Sequence, residues 1–326
     1  MSDSESIAQY RISAGWLIGF AVAACWLPLV TYAISLALFG LAHVACEFRY
    51  LHQRFTSRLH RRLVQLFLVL LLTIFANRIA GIVVPEIWGS WPQVEIGLGA
   101  GLLVATGLLA YRLSGRAGAL VAIVLGIGFV ALIRWNPLIA MCSLAFVHNL
   151  TPWGFLVEHA QPEQRRRVAA LAAIPFLLIP LAILSGLHIH LLQAVAGWLP
   201  IDWEFVPESI GRLFLAHYLP SNTQPTYWVV AFFSAAVFLQ LVHYYSVIVV
   251  LPRLSVSDQA NQSSTKRGSG RTFAAVLIVS SLVLALLYSV DFGQTRQFYG
   301  AVAAMHAWIE FPILCLFLPT LLTHSR

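Results

Sequence analysis

The run LVQLFLVLLLTIFANRIAGIVV, residues 63–84, carries one charge, Arg78, in 22 positions. A helix of about 20 residues at 1.5 Å rise crosses the ~30 Å hydrocarbon core of a bilayer. It also satisfies its own backbone polar groups, which an open strand or loop in lipid cannot do. The stretch therefore predicts a transmembrane helix. Working outward, comparable apolar runs occupy 14–46, 96–111, 117–133, 137–157, 168–188, 226–251, 273–290 and 298–322, giving nine candidate spans. Over the whole chain 59% of residues are hydrophobic and 10% charged, against roughly a quarter charged in soluble domains. The expected fold class is all-α: a polytopic transmembrane helical bundle, a single transmembrane domain over 1–326. The first run is too long for one upright helix and predicts a tilt, a kink near Pro28 or a continuation past the membrane face.

Basic residues sort to the cytoplasmic side of membrane proteins. With the amino terminus outside and the carboxyl terminus cytoplasmic, nine spans put 15 Lys and Arg inside and 4 outside, with Arg78 within a span. Trp16, Trp88, Trp91, Trp135, Trp198, Trp203 and Trp228 fall near the outer interface, where indoles settle. The net charge of +7 thus reads as topology, with a capacity for anionic membrane lipid, and not as a nucleic-acid footprint. The expected location is the bacterial cytoplasmic (inner) membrane, as a multi-pass protein. The acidic start MSDSESIAQYR lacks the positive region of a secretory signal, so the first span is expected to be retained. An outer segment at about 189–225, rich in aromatics, acids and prolines, is expected to cap the bundle, and the polar Gly/Ser-rich 253–271 reads as a cytoplasmic linker. Cys25, Cys46, Cys142 and Cys315 form no Cys-x-x-Cys pair and read as reduced small hydrophobes.

Ionisable groups inside spans are costly and mark functional positions. AHVACEF, residues 42–48, and MHAWIEF, residues 305–311, both read His-x-x-x-Glu-Phe. Residues i and i+4 share a helix face, so His43 with Glu47, and His306 with Glu310, each present a nitrogen and an oxygen to one side. His148 and His243 bring the imidazoles to four, on four separate spans. A lone intramembrane histidine most often joins two helices by a hydrogen bond. Four at compatible depth, two paired with carboxylates, suit a transition metal held between facing helices. The candidate metal ligands are His43, His148, His243, His306 and Glu47. Glu310 and Tyr244 are the candidate catalytic residues, Glu310 either ligating or orienting a ligand. Glu47 also has the alternatives of pairing with Arg49 or reaching water. Iron suits nitrogen and oxygen ligands with open positions, with zinc as the alternative. His217 is a further ligand or gate candidate. His188 and His190 sit ~200° apart on a helix and do not chelate together. His52, His60, His159 and His324 read as solvated, and Arg78 as half of an internal ion pair or a backbone cap.

FGLAHVACEF around His43, AFVHNL with His148, FFSAAVFLQLVHYY with His243 and AAMHAWIEF with His306 resemble the histidine-bearing spans of the bacterial membrane β-carotene-cleaving dioxygenases, the Brp/Blh family. That family's first motif has proline before the histidine and an aspartate four residues after it; here Ala42 and Glu47 take those places. The resemblance implies histidine-bound iron that uses dioxygen on an apolar polyene. The functional expectation is an intramembrane metal-dependent oxygenase or oxidase acting on a lipid-like or isoprenoid substrate, with dioxygen and an external electron donor as partners. The alternative is a transporter or channel in which the same His, Glu and Arg side chains carry protons or ions.

Overall fold

A computed structural model describes residues 8–88, 91–109, 111–196, 226–260 and 267–322. Among them every regular element is helical and none is a strand. The helices are α1 (Ala14–Trp26), α2 (Pro28–Phe55), α3 (Arg61–Val83), α4 (Trp91–Leu109), α5 (Tyr111–Trp135), α6 (Pro137–His148), α7 (Thr151–His159), α8 (Arg165–Ala173), α9 (Ile179–Leu184), α10 (Leu187–Ala196), α11 (Tyr227–Tyr245), α12 (Leu251–Ala260), α13 (Arg267–Val290) and α14 (Phe292–Leu322). Seven stretches among the described residues are long and apolar enough to cross a membrane: Pro28–Arg58, Arg61–Val83, Gly118–Trp135, Pro162–Leu184, Tyr227–Ser255, Arg271–Val290 and Phe292–Phe317. This is the pattern of a multi-pass membrane protein.

The breaks between helices have local causes. Leu27, ahead of Pro28, leaves the helical region at φ −132°, ψ 54°, because a proline ring disfavours the α conformation in the residue before it. The kink expected near Pro28 is therefore the α1–α2 junction. Asn136 accepts from the Ile139 amide at 3.1 Å and caps α6, which opens with Pro137. The run at 137–157, expected as one span, is two short helices. Pro152 has no N–H for the carbonyl of His148, four residues back, and the chain turns at Asn149–Leu150. The Thr151 hydroxyl lies 2.7 Å from that carbonyl. Prolines also accompany both wide π turns, Ile174–Leu178 with Pro175 inside it and Ser246–Val250 shortly before Pro252. A π turn relaxes the ladder where an amide hydrogen is absent.

The chain divides into two compact units, Met1–Cys46 with Arg166–Leu286 and Glu47–Arg165 with Leu287–Arg326. In the first, α11 is the buried centre, and it packs on α1 and α9. It is apolar nearly all round, the mark of a helix enclosed on every side. Tyr32 meets Phe233 edge to face at 5.7 Å, and Gln240 Nε2 donates to Ser35 Oγ at 2.8 Å. Gly186, at φ +75°, lies under the Tyr227 ring where a Cβ would collide. On α13, by contrast, Val276, Ile278, Val279, Leu282, Val283, Leu286, Leu287 and Val290 are all exposed, the composition of a face turned to lipid.

In the second unit, α14 packs against α3, α4, α5 and α7. Trp308 is fully buried against Gly99, where no side chain would fit beside the indole. Its Nε1 donates to Glu95 Oε1 at 3.0 Å. Arg78 grips Glu95 with Nε and Nη2 and reaches the Gly300 carbonyl with Nη1 at 2.7 Å. The expected internal ion pair of Arg78 is thus present, and it ties α3, α4 and α14 together. Asn77 is similarly engaged, donating to the Trp91 carbonyl at 2.9 Å and accepting from Trp88 Nε1 at 2.7 Å. None of the four cysteines forms a disulfide, and Cys46 and Cys315 are buried. Most of the expected outer cap, residues 197–225 with His217, the central part of the linker, 261–266, and His324 lie outside the described residues.

Candidate metal centre

In the first unit, α2 and α11 bring His43 and His243 together. They are 2% and 0% exposed. Their rings meet edge-on with centroids 5.2 Å apart, and each offers a nitrogen within 4.8 Å of the other's. His43 Nδ1 lies 3.3 Å from the Phe39 carbonyl one turn earlier. A carbonyl only accepts, so this contact puts the proton on Nδ1 and leaves Nε2 with a lone pair. Tyr244 stacks on His43, centroids 4.1 Å apart and planes 24° from parallel, which fixes the imidazole plane.

The second unit gathers His148, His306, Glu310 and Glu47, all buried. His148 is the last residue of α6, and the halt enforced by Pro152 is what sets its ring beside α14. Its Nδ1 lies 2.6 Å from Glu310 Oε2, and the Thr151 hydroxyl lies 2.6 Å from the same oxygen. With its Nδ1 proton committed to the carboxylate, His148 presents Nε2 as a bare donor, 3.0 Å from His306 Nε2. A carboxylate behind a histidine is the arrangement that orients imidazole ligands in metal sites. Glu47, Glu310 and His306 each offer a ligand atom, mutually within 4.8 Å. Two carboxylates this close in an apolar interior require a compensating positive charge between them, a proton or a cation.

The donor set fits a metal ion. The His148 and His306 nitrogens, 3.0 Å apart, have about the separation of two neighbouring ligands at ~2.1 Å from a cation in an octahedral site. The buried histidines and glutamates can therefore hold a metal ion. Neutral nitrogens and carboxylate oxygens without thiolate match iron or zinc alike.

Each expected site residue is accounted for among these groups: His43, His243 and Tyr244 in the first unit, and Glu47, His148, His306 and Glu310 in the second. Glu47 is fully buried, so the alternative of reaching water fails. His188 is half-buried and His190 exposed beside the Tyr227 ring at 4.9 Å. His52 and His60 are exposed as expected, whereas His159 is buried. It ends α7, where the chain turns back toward α8, so its side chain faces protein instead of water. Two buried polar residues in these contacts escape the sequence reading. Thr151 gives itself away only by the Asn149-Leu150-Thr151-Pro152 break signal. Glu95 precedes the apolar run at 96–111 and reads as an interfacial acid. Comparison of the chain with protein-family models, curated proteins and solved structures yields no match.

Proposed function

We propose that the chain is an intramembrane metal-dependent oxygenase or oxidase, in which His43, His148, His243, His306 and Glu47 are the metal ligands, iron is the metal and the substrate is lipid-like or isoprenoid. The observation that carries this reading is the buried cluster of His148, His306, Glu47 and Glu310, whose charges and lone pairs call for a cation. His43 precedes Glu47 by one turn on the same helix, α2, so covalent geometry alone puts both donors on one face. His243 comes with His43 through their ring contact.

Bound iron would supply the electron transfers that let dioxygen react with an apolar hydrocarbon, and zinc, without redox chemistry, would support hydrolysis instead. The protein's own part is positioning. Glu310 holds the Nδ1 proton of His148 and so keeps Nε2 directed inward. Tyr244 keeps the plane of His43. The apolar side chains around the site keep water from the reacting atoms. Substrate and dioxygen, both apolar, would enter from the bilayer, and electrons from an external donor. Nine passes, with the amino terminus outside and the carboxyl terminus cytoplasmic, complete the proposal for a bacterial inner-membrane protein, and the likeness to the Brp/Blh dioxygenases points the same way.

Metal analysis of the purified, detergent-solubilised protein tests this reading. The expected result is stoichiometric iron, lost in His43→Ala and in His306→Ala, with dioxygen uptake that depends on added isoprenoid hydrocarbon. Metal-free protein that carries a proton-coupled flux in liposomes would overturn it in favour of a transporter.

A further inference from the structure

Lined by none of the candidate metal ligands, a cavity of about 350 Å³ lies in the second unit where the end of α2 meets the end of α7. Its walls include Arg54, Arg58, Arg165, His159, Gln161 and Phe317, together with Glu158. Three guanidinium groups and one carboxylate leave a net charge of +2, counting His159 as neutral. Such an excess around one concavity attracts anions, and its low-dielectric walls concentrate the field.

The arginines are held in place. Glu158, only 5% exposed, accepts from Arg54 Nε at 3.2 Å and Nη2 at 3.3 Å, and from Arg58 Nη1 at 2.9 Å. This carboxylate cancels one charge and fixes the orientation of two guanidiniums. Arg58 also lies over the Phe55 and Phe317 rings, at 5.9 and 5.8 Å. Arg165 Nε donates to the Ala160 carbonyl at 3.3 Å, which sets the third. Pre-set guanidinium forks match the paired oxygens of a phosphate better than any single carboxylate or halide would use them. Arg165 further opens α8, a helix beginning Arg-Arg-Arg. A helix start is the end where the backbone dipole disfavours cations. A bound anion would offset both the dipole and the crowded arginines.

We propose that this cavity is a phosphate-binding site, distinct from the histidine cluster. It lies where apolar spans give way to arginines, the level at which headgroup phosphates occur in a bilayer, and Phe317 and Pro162 add an apolar wall. The phosphate is therefore that of an anionic lipid or of a soluble phosphorylated molecule, and the two sources separate by experiment.

The test uses the full-length protein. Wild type and the double variant Arg58→Gln/Arg165→Gln are placed in nanodiscs of phosphatidylcholine with a minority of phosphatidylglycerol, and lipids retained after extraction are counted by native mass spectrometry. In parallel, inorganic phosphate is titrated against thermal unfolding in detergent. A lipid source predicts about one retained phosphatidylglycerol per chain, its affinity about tenfold lower or weaker still in the double variant, as loss of charge-assisted bonds implies. Arg58→Lys, which keeps the charge but loses the planar fork, should bind more weakly than wild type and more tightly than the double variant. A soluble source predicts saturable stabilisation by phosphate, lost in the double variant, with no preference for phosphatidylglycerol. Wild type that shows neither retention nor stabilisation, or a double variant equal to wild type in both, overturns the proposal. Should the double variant fold poorly, the wild-type arms and Arg58→Lys still decide.

Discussion

Glu310→Gln is the change that asks most directly whether the buried cluster is a metal centre. The amide is the same size as the carboxylate, so packing around α14 survives. The short contact from His148 Nδ1 to Oε2, 2.6 Å, turns from a charge-assisted bond into a neutral one of about half the strength. The cluster also loses one of its two carboxylates. Removal of a carboxylate behind a ligating histidine lowers metal affinity by about 10- to 100-fold, equivalent to about 1.4–2.7 kcal/mol. Competition against a graded series of chelators, followed by metal analysis of the protein, measures this directly. His306→Ala, which removes a nitrogen 3.0 Å from that of His148, should lose more. If Glu310→Gln binds metal as tightly as wild type while His306→Ala does not, the carboxylate neither orients nor ligates, and the argument from the His148 contact is wrong.

Other substitutions probe the frame around the centre. Arg78→Met leaves Glu95, fully buried, with its charge uncompensated, and should cost about 3–5 kcal/mol in detergent unfolding; adding Glu95→Gln should restore part of it. Gly99→Ala places a methyl inside the Trp308 ring and should cost about 1–3 kcal/mol, read as a lowered unfolding temperature with retained helix content. Gly186→Ala combines a collision with Tyr227 and an unfavourable positive φ, for a loss of about 1–3 kcal/mol by the same assay. Glu158→Ala frees two arginines that are already partly solvated, 24% and 41% exposed, so a loss of only about 1 kcal/mol is expected in the same measurement.

The sequence made the helices and the candidate donors legible for the same reason: in an apolar run every polar side chain stands out, and spacing of four fixes a shared face. His43 with Glu47 and His306 with Glu310 follow from that rule alone. It could not give the partnership of His148 with Glu310, 162 residues apart, because pairing between helices depends on packing that no local spacing encodes. The break after His148 was hidden by composition. Residues 137–157 are apolar enough for one span, and only the missing amide of Pro152 converts them into two helices. Glu95 was missed for the opposite reason: it stands at the edge of its run, where an acid normally meets water, and the length of α4 draws it inside.

The stretch Arg271–Val290 bears on the surrounding membrane. Its 20 residues make a helix about 30 Å long, close to the thickness of an ordinary hydrocarbon layer with no tilt to spare, and little of it is held by protein. It serves as a gauge of the membrane around it. Bilayers of shorter acyl chains should oblige it to lean and longer ones should thin around it, so reconstituted protein is expected to be most heat-resistant at one acyl-chain length and to lose resistance on either side.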